Sequence, residues 1–180
     1  MLRPPETFTT TRLAARLPRV EDAAAVFAAY ASDPEVTRYL LWRHYTDIEP
    51  LREFLRHMLH TWETDDGSQY AWLLCQRGSD EPIGSISMSL GPHGAMLGYV
   101  LGRAYWGRGL MTEAVCYASA WALAQPPLFR VWAFSDAENL ASTRVLEKAG
   151  LVQEGRLRRW CACPTIGPEP RDCLIYAKVR

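Results

Sequence analysis

A strand, a glycine turn and a long helix follow one another past the middle of the chain, and this order limits the fold more than any other feature. The segment Trp106-Gly107-Arg108-Gly109 separates an apolar run, 96–101, from a helical pattern that continues to about residue 124. The first N–H groups of a helix lack intrahelical partners, and glycines allow a ligand to approach them closely. Because these groups lie at the positive end of the helix dipole, the turn suits a phosphate or diphosphate.

Several kinds of glycine turn bind phosphates, and the residues around Gly109 distinguish them. A P-loop ends in Gly-Lys-Ser/Thr, whereas Leu110 and Met111 follow Gly109 here. A dinucleotide-binding turn needs a third glycine, and Thr112 occupies that position. A turn that joins two elements without binding a ligand stays an alternative at this point, because short glycine motifs are common.

A second motif follows the next predicted strand, 129–134. Residues 139–150 predict a helix that Asn139 caps and Gly150 ends. Asn139 and Ser142 are three residues apart, so their side chains lie on one face of the first helical turn. Capping accounts for Asn139 but not for the position of Ser142, and both are therefore candidate functional residues.

The remaining patterns predict one mixed α/β (α+β) domain over residues 1–180, since this length fits a single domain. The predicted strands are 12–17, 70–75, 86–90, 96–101, 129–134, 152–157 and 174–179. Helices are predicted to begin near residues 21, 34, 48, 107 and 139, with a turn at Asp65-Asp66-Gly67 and a loop over 164–170.

The composition limits the partners and the location of the protein. The net charge is zero, which argues against a nucleic-acid partner, and no run of 18 apolar residues predicts a membrane span. Five cysteines, an odd number at irregular spacing, and a polar N-terminal segment without a signal-peptide pattern favour a cytoplasmic protein with reduced thiols. Cys161, Cys163 and Cys173 lack a paired zinc-ligand spacing and a nearby histidine, so no metal is expected.

Taken together, these segments resemble the GNAT superfamily of acyl-CoA N-acyltransferases, most closely the branch that contains the ribosomal-protein N-terminal acetyltransferases. The similarity extends over nearly the whole chain and depends on the order and spacing of its pieces. The pieces are Thr11-Arg12-Leu13, Asp33-Pro34-Glu35-Val36, Ile83-Gly84-Ser85-Ile86, Gly98-Tyr99-Val100-Leu101, 105–114, 139–150 and 154–158. The resemblance implies a mostly antiparallel sheet of about seven strands, with helices on both faces and a splay between the fourth and fifth strands.

The resemblance also implies acetyl-CoA as the co-substrate, with no metal. Its pantetheine arm is expected in the gap beside the fourth strand, where a backbone N–H polarises the thioester carbonyl. The implied cofactor-binding residues are Tyr99, Val100, Leu101, Trp106, Gly107, Arg108, Gly109, Leu110, Met111, Thr112, Asn139, Ser142 and Arg144. Ser142 is expected near the thioester sulfur and is the candidate catalytic residue, as a hydrogen-bond donor to the departing thiolate.

The implied reaction is direct attack by a primary amine, of a protein N-terminus or a small molecule, in a ternary complex. Tyr39, Trp42 and Trp160 lie in segments that border the acceptor groove in similar proteins. Many family members carry a tyrosine acid where this chain has Leu146, and some carry a glutamate base near the position of Cys161. A homodimer is compatible with the resemblance.

Because of these departures, two other hypotheses stay open. One is a non-catalytic acyl-CoA-binding or sensor module, which the missing tyrosine and the unassigned base would explain. The other is an enzyme that uses the glycine turn to bind ATP or NAD.

Overall fold

The computed structural model describes residues 2–64 and 69–180, and within them eight strands form one open mixed sheet. The strands are β1 (Phe8–Thr9), β2 (Leu13–Arg16), β3 (Tyr70–Gln76), β4 (Pro82–Leu90), β5 (Gly94–Leu101), β6 (Arg130–Asp136), β7 (Val152–Ala162) and β8 (Pro170–Val179). Their spatial order is β1-β2-β3-β4-β5-β6-β8-β7, and every neighbouring pair is antiparallel except β5–β6. The turn predicted at Asp65-Asp66-Gly67 lies outside the described residues.

The helices follow the predicted order. They are α1 (Ala23–Val26), which continues as a π-helical turn over Phe27–Ala31, α2 (Pro34–Thr37), α3 (Glu49–Thr64), α4 (Leu110–Leu123) and α5 (Leu140–Lys148). Local chemistry sets their ends: Asp33 caps α2 by accepting a hydrogen bond from the N–H of Glu35, with Pro34 at the first helical position. Gly150, at φ +82°, follows α5 in the left-handed conformation that was predicted for it.

Side chains that alternate along β3 show that helices cover both faces of the sheet. Trp72 and Leu74 belong to the larger hydrophobic core, which includes the buried residues of α4 and α5. Leu73, between them, packs instead with buried residues of α1 and α3. Since successive side chains of a strand point to opposite faces, the two helix groups lie on opposite sides of the sheet, as predicted.

The sheet has one strand more than predicted because Phe8–Thr9 pairs with β2 at its edge, through Phe8↔Ala15 and Thr9↔Ala14. The last two strands are also longer than predicted. β7 continues to Ala162, past a register shift between Leu157 and Cys161 where Arg159 has φ +45°. Most of its residues are exposed, so the apolar pattern that predicts a strand is absent from its second half.

The predicted fourth and fifth strands, β5 and β6, separate as expected. They pair in parallel from Gly94↔Arg130 to Met96↔Trp132, and the described sheet has no further bridge between them. Beyond that point β5 stays paired with β4, and β6 stays paired with β8 as far as Asp136↔Cys173. A gap therefore opens between residues 97–101 and 133–136.

Among the helices of residues 2–64 and 69–180, none is both long and apolar enough to cross a membrane.

Candidate functional site

The glycine turn lies at the start of α4, and both of its glycines adopt left-handed backbone conformations. Gly107 has φ +72° and Gly109, the residue before the helix, has φ +73°. Residues other than glycine rarely adopt these angles, which explains why the helix begins at Leu110 and not at Gly107 as predicted. The turn thus precedes the helix and presents its first N–H groups.

The first turn of α4 offers backbone donors and not side chains. Leu110 and Met111 are buried in the core, so their predicted contribution to cofactor binding is limited to their N–H groups. The N–H of Glu113 bonds to the carbonyl of Gly109 at 3.2 Å, which starts the intrahelical ladder. The N–H groups before Glu113 are therefore those that a helix leaves for a cap or a ligand.

A network from the N-terminal segment holds this turn in place. Arg12 donates from Nη1 to the carbonyl of Arg108 at 2.8 Å, and from its backbone N–H and Nε to the carboxylate of Glu113, each at 2.8 Å. The hydroxyl of Thr10 donates to the same carboxylate. No local sequence pattern could assign Arg12, Thr10 or Glu113 to the site, because the partners are about a hundred residues apart.

The electrostatics of Glu113 favour its charged form. Burial alone would raise the pKa of this carboxyl group. Hydrogen bonds from Thr10 and from the backbone and guanidinium of Arg12 outweigh burial and hold the pKa below its usual value. Glu113 is therefore ionised at neutral pH and keeps its hydrogen bonds with Arg12.

Trp106 and Arg108 attach the turn to its surroundings on the other side. The indole Nε1 of Trp106 donates to the carbonyl of Leu101 at 2.6 Å, which joins the turn to the end of β5. The guanidinium carbon of Arg108 lies 5.8 Å from the centroid of the Tyr105 ring. Both side chains are exposed, and Thr112 is half-buried in the first turn of α4.

The start of α5 meets β5 on the side of the gap. Asn139 caps α5 by accepting a hydrogen bond from the N–H of Ser142 at 3.1 Å, as predicted. The phenol oxygen of Tyr99 lies 2.8 Å from the Ser142 hydroxyl oxygen and 3.3 Å from the Ser142 carbonyl oxygen, so its single hydrogen has two acceptors within reach. The sequence had placed Tyr99 at the site only through its strand backbone, and no local pattern could show that its side chain reaches Ser142.

Burial is the main cause that raises the pKa of Tyr99 to about 12. The phenol is therefore protonated at neutral pH and can donate a hydrogen bond. Val100 and Leu101 continue β5 along the gap, with Val100 buried and Leu101 half-buried.

Helix α5 contributes both to the core and to the candidate site. Leu146, where many similar proteins carry a tyrosine, is fully buried in the larger core, together with Ala149. Ser142 lies one turn before Leu146 on the same side of α5 and contacts Tyr99, and the predicted cofactor contact Arg144 is exposed to solvent. Within α5 itself, then, Ser142 is the hydroxyl that the structure places beside β5.

The predicted acceptor residues lie on two segments that meet through a loop. Tyr39 and Trp42, both half-buried, belong to the stretch after α2, and Trp160 is 53% exposed on β7 with its ring 6.4 Å from that of Phe134. The loop between β7 and β8 touches the first segment. Its contacts are Thr37 Oγ1 to Thr165 Oγ1 at 3.4 Å and Arg43 Nε to the carbonyl of Pro164 at 3.0 Å.

The three C-terminal cysteines form part of a buried polar cluster. The sulfurs of Cys161 and Cys173 are 3.3 Å apart, and Cys163 donates to the carboxylate of Asp136, which also accepts from Arg171 at 2.6 Å. Burial raises the pKa of Cys163 to about 11 and also raises that of Cys173, so both stay protonated. In the parts of the chain that the structure describes, no group of three or more His, Cys, Asp or Glu side chains is placed to hold a metal ion.

Known proteins are similar to this chain in sequence. The model of the acetyltransferase (GNAT) domain family matches residues 12–152. The uncharacterized N-acetyltransferase p20 of Bacillus licheniformis is 33% identical over 156 residues, which cover 85% of this chain and 86% of that protein.

Solved structures agree with this match. An acetyltransferase of the GNAT family from Bacillus anthracis superposes with a TM-score of 0.81 at 25% identity, covering 96% of this chain and 98% of its own. RimL, a ribosomal L7/L12 alpha-N-protein acetyltransferase in complex with coenzyme A, has a TM-score of 0.83 at 19% identity, covering 97% and 98%. The similarity to RimL shows a shared fold alone. With the family model matching most of the sequence, the chain belongs to the GNAT family and is an acetyl-CoA-dependent acetyltransferase.

Proposed function

We propose that this protein transfers the acetyl group of acetyl-CoA directly to a primary amine, of a protein N-terminus or a small molecule, while both substrates are bound. The observation that carries the proposal is the gap between β5 and β6, which has the glycine turn near one end and the Ser142 hydroxyl beside it. A thioester and a diphosphate are the two chemically distinct parts of acetyl-CoA that such an arrangement can bind.

The glycine turn fits the diphosphate because it combines free space with oriented donors. A side-chain carbon added at Gly107 would meet nothing within 4 Å, so the surface above this residue is open. The unpaired N–H groups of the first turn of α4 and the positive end of its dipole favour an anion there. The exposed guanidinium of Arg108 adds a charged donor at the rim.

The edge of β5 fits the pantetheine arm because β6 has moved away from it. Residues 97–101 lose their strand partner on that side, and their outward backbone groups can pair with the amides of the arm. The Oδ1 atom of Asn139 is used as the helix cap, while its amide NH₂ keeps two donors for a ligand. Bound in this way, acetyl-CoA supplies an activated acyl group next to Ser142.

Ser142 acts as a hydrogen-bond donor to the sulfur that leaves. Its hydroxyl is a weak acid, so stabilising the developing thiolate by a hydrogen bond accounts better for its role than complete proton transfer. In the proposed reaction the neutral amine attacks the thioester carbon directly, the carbon–sulfur bond breaks to release coenzyme A, and a base or water takes the proton that the amine loses.

Tyr39, Trp42 and Trp160 are proposed to line the acceptor side, because their segments meet at the β7–β8 loop. Large exposed rings suit an acceptor with an apolar portion. The protein-N-terminus option draws support from the similar fold of RimL, whose own acceptor is a ribosomal protein. All five cysteines are free thiols, in keeping with the predicted cytoplasmic location.

The proposal is tested by measuring thiol release from acetyl-CoA against a panel of small amines and peptides with free N-termini. We expect turnover with at least one acceptor, and a loss of kcat of about a hundredfold in Ser142→Ala, as is usual for a proton donor. Ser79→Ala, which removes an exposed hydroxyl in the β3–β4 turn, is the matched control and should keep full activity. Absence of thiol release with every acceptor, despite tight acetyl-CoA binding, would leave a binding module as the better description.

Competition between cofactors adds a second test. Coenzyme A should displace bound acetyl-CoA in calorimetry, whereas ATP and NAD should not. Displacement by ATP at similar concentrations would show that the glycine turn binds nucleotide diphosphates in general and would count against the proposal.

A further inference from the structure

The contact between Tyr99 and Ser142 joins the two sides of the candidate site through side chains. Tyr99 is fixed in β5 by antiparallel pairing with Ile86 of β4, and Ser142 lies in the first turn of α5. The two oxygens are 2.8 Å apart, an ordinary distance for an O–H···O hydrogen bond. The paired strand β5 thus holds the Tyr99 phenol against the Ser142 hydroxyl, which is the proposed hydrogen-bond donor to the leaving sulfur.

We propose that Tyr99 is a positioning residue that donates its phenolic hydrogen to Ser142 Oγ and so directs the Ser142 hydrogen toward the thioester sulfur. This inference rests on the proposed function, because it concerns the orientation of the group that contacts the leaving sulfur.

The hydrogen-bonding capacity of the pair supports this direction. A serine hydroxyl has one hydrogen and two acceptor positions. The alternative acceptor for the phenol, the Ser142 carbonyl, is 3.3 Å away and therefore weaker than the hydroxyl at 2.8 Å. When the phenol donates to Oγ, the serine hydrogen is available for a third group.

The position of Ser142 in its helix removes the usual competing acceptor. A serine within a helix often donates to the carbonyl four residues earlier. For Ser142 that carbonyl belongs to Glu138, which precedes the helix, and among the described residues the recorded partner of the Ser142 hydroxyl is the Tyr99 phenol. The serine hydrogen is therefore free to point into the gap.

The chemistry of the phenol fits a donor that keeps its proton. Burial raises the pKa of Tyr99, so the ionised form is disfavoured at neutral pH. An oxygen that accepts a hydrogen bond becomes a better donor through its own hydrogen, because chained hydrogen bonds polarise one another. Since Leu146 supplies no phenol from α5, Tyr99 brings one to the same hydroxyl from the neighbouring strand.

A double-mutant cycle tests this arrangement. Tyr99→Phe should lower kcat up to about tenfold, the equivalent of one lost hydrogen bond. Its dissociation constant for acetyl-CoA should stay within about twofold, since the hydrogen bond to sulfur matters most when the thiolate forms. The double variant Tyr99→Phe/Ser142→Ala should be no slower than Ser142→Ala alone, because the phenol acts only through the serine.

Tyr117→Phe is the matched control, since this tyrosine stacks on Phe8 with ring centroids 4.2 Å apart and lies away from the gap. It should retain the wild-type kcat. If the double variant lost kcat by the product of the two single losses, the residues would act independently, and the inference would be overturned. An unchanged kcat in Tyr99→Phe would also overturn it.

A second measurement does not depend on turnover. In protein labelled with ¹³C at the tyrosine Cζ atoms, the Tyr99 signal is assigned by its loss in Tyr99→Phe. Adding acetyl-CoA should move this signal in the wild type and move it less in Ser142→Ala, while the Tyr117 signal stays in place. If the wild type acetylates no acceptor, the proposed function fails, and this experiment still decides the Tyr99 contact: a signal that acetyl-CoA leaves unchanged would overturn it.

Discussion

The cofactor side and the acceptor side of the candidate site differ in how firmly the fold holds them. On the cofactor side, hydrogen bonds between distant segments fix the groups, as with Arg12 and Glu113 at the glycine turn or Tyr99 and Ser142 at the gap. On the acceptor side, the aromatic rings are partly exposed, and the two segments meet through the weaker contact of Thr37 with Thr165 and the single bond from Arg43.

This difference has a functional meaning. A prearranged cofactor side reduces the cost of ordering backbone donors when acetyl-CoA binds. A loosely held acceptor side leaves room for different amines, because loops change more easily than the elements that carry them. The same donor chemistry can then serve acceptors of different shape.

Gly109→Ala should have the largest effect on the cofactor side, by weakening the binding of acetyl-CoA. A side chain at φ +73° is strained, and its carbon would lie 3.6 Å from Arg12 Nη2, beside the N–H groups that receive the diphosphate. We expect acetyl-CoA affinity to fall about a hundredfold, as if one or two charge-assisted hydrogen bonds were lost. Calorimetry measures the change.

Gly78→Ala is the control for backbone strain. Gly78 has φ +84° in the exposed β3–β4 turn, and no atom lies near the added carbon. Its substitution therefore introduces a similar backbone strain outside the candidate site. Both substitutions should lower the free energy of unfolding, but only Gly109→Ala should lower the affinity for acetyl-CoA. Equal losses of affinity would mean that strain in general, and not the turn, explains the effect.

Arg12→Ala should make the same glycine turn less rigid, because it removes contacts from the N-terminal segment. It removes the donor to the Arg108 carbonyl and the partner of Glu113, so the turn samples more conformations before it binds. We expect acetyl-CoA affinity to drop about tenfold, the equivalent of one hydrogen bond of about 1.4 kcal/mol. The control is Arg52→Ala, which removes an exposed pair with Glu49 on α3 and should leave affinity unchanged.

Trp160→Ala should affect the acceptor side alone. We expect the KM for the amine acceptor to rise about three- to tenfold, the value of one aromatic contact. The dissociation constant of acetyl-CoA and the midpoint of thermal unfolding should stay close to those of the wild type, because the ring is mostly exposed. A loss of cofactor affinity equal to the rise in KM would remove the distinction between the two sides.

The smallest expected effect is the pH dependence of the Glu113 network. Because the folded protein lowers the pKa of Glu113, its contribution to stability is present above the ordinary glutamate pKa of about 4.3. It is lost as pH falls through the lower pKa of the folded state. The difference in unfolding free energy between the wild type and Glu113→Gln should therefore narrow toward acid pH in urea titrations, and a difference that widens would contradict the assignment.

The parts of the structure that the sequence predicted are those with local signals. The glycine turn, the Asn139 cap and the left-handed Gly150 each depend on residues within one turn of the chain. The mostly antiparallel sheet with helices on both faces and the separation of β5 from β6 followed from the resemblance, because the family segments keep their order and spacing.

The parts that could not be predicted depend on contacts across the sequence or on weak local patterns. Arg12 and Glu113 are separated by 101 residues and Tyr99 and Ser142 by 43, so no periodicity reveals them. The edge strand Phe8–Thr9 is too short to show alternation, and the second half of β7 is too polar. On the acceptor side, exposed rings look the same in sequence whether they line a groove or face solvent.

The most direct test of the central claim is a crystal structure with bound acetyl-CoA. We expect the diphosphate within hydrogen-bond distance of backbone N–H groups in 107–112, the pantetheine beside residues 99–101, and the sulfur next to the Ser142 hydroxyl. A diphosphate bound away from the glycine turn, or a sulfur remote from Ser142, would contradict it.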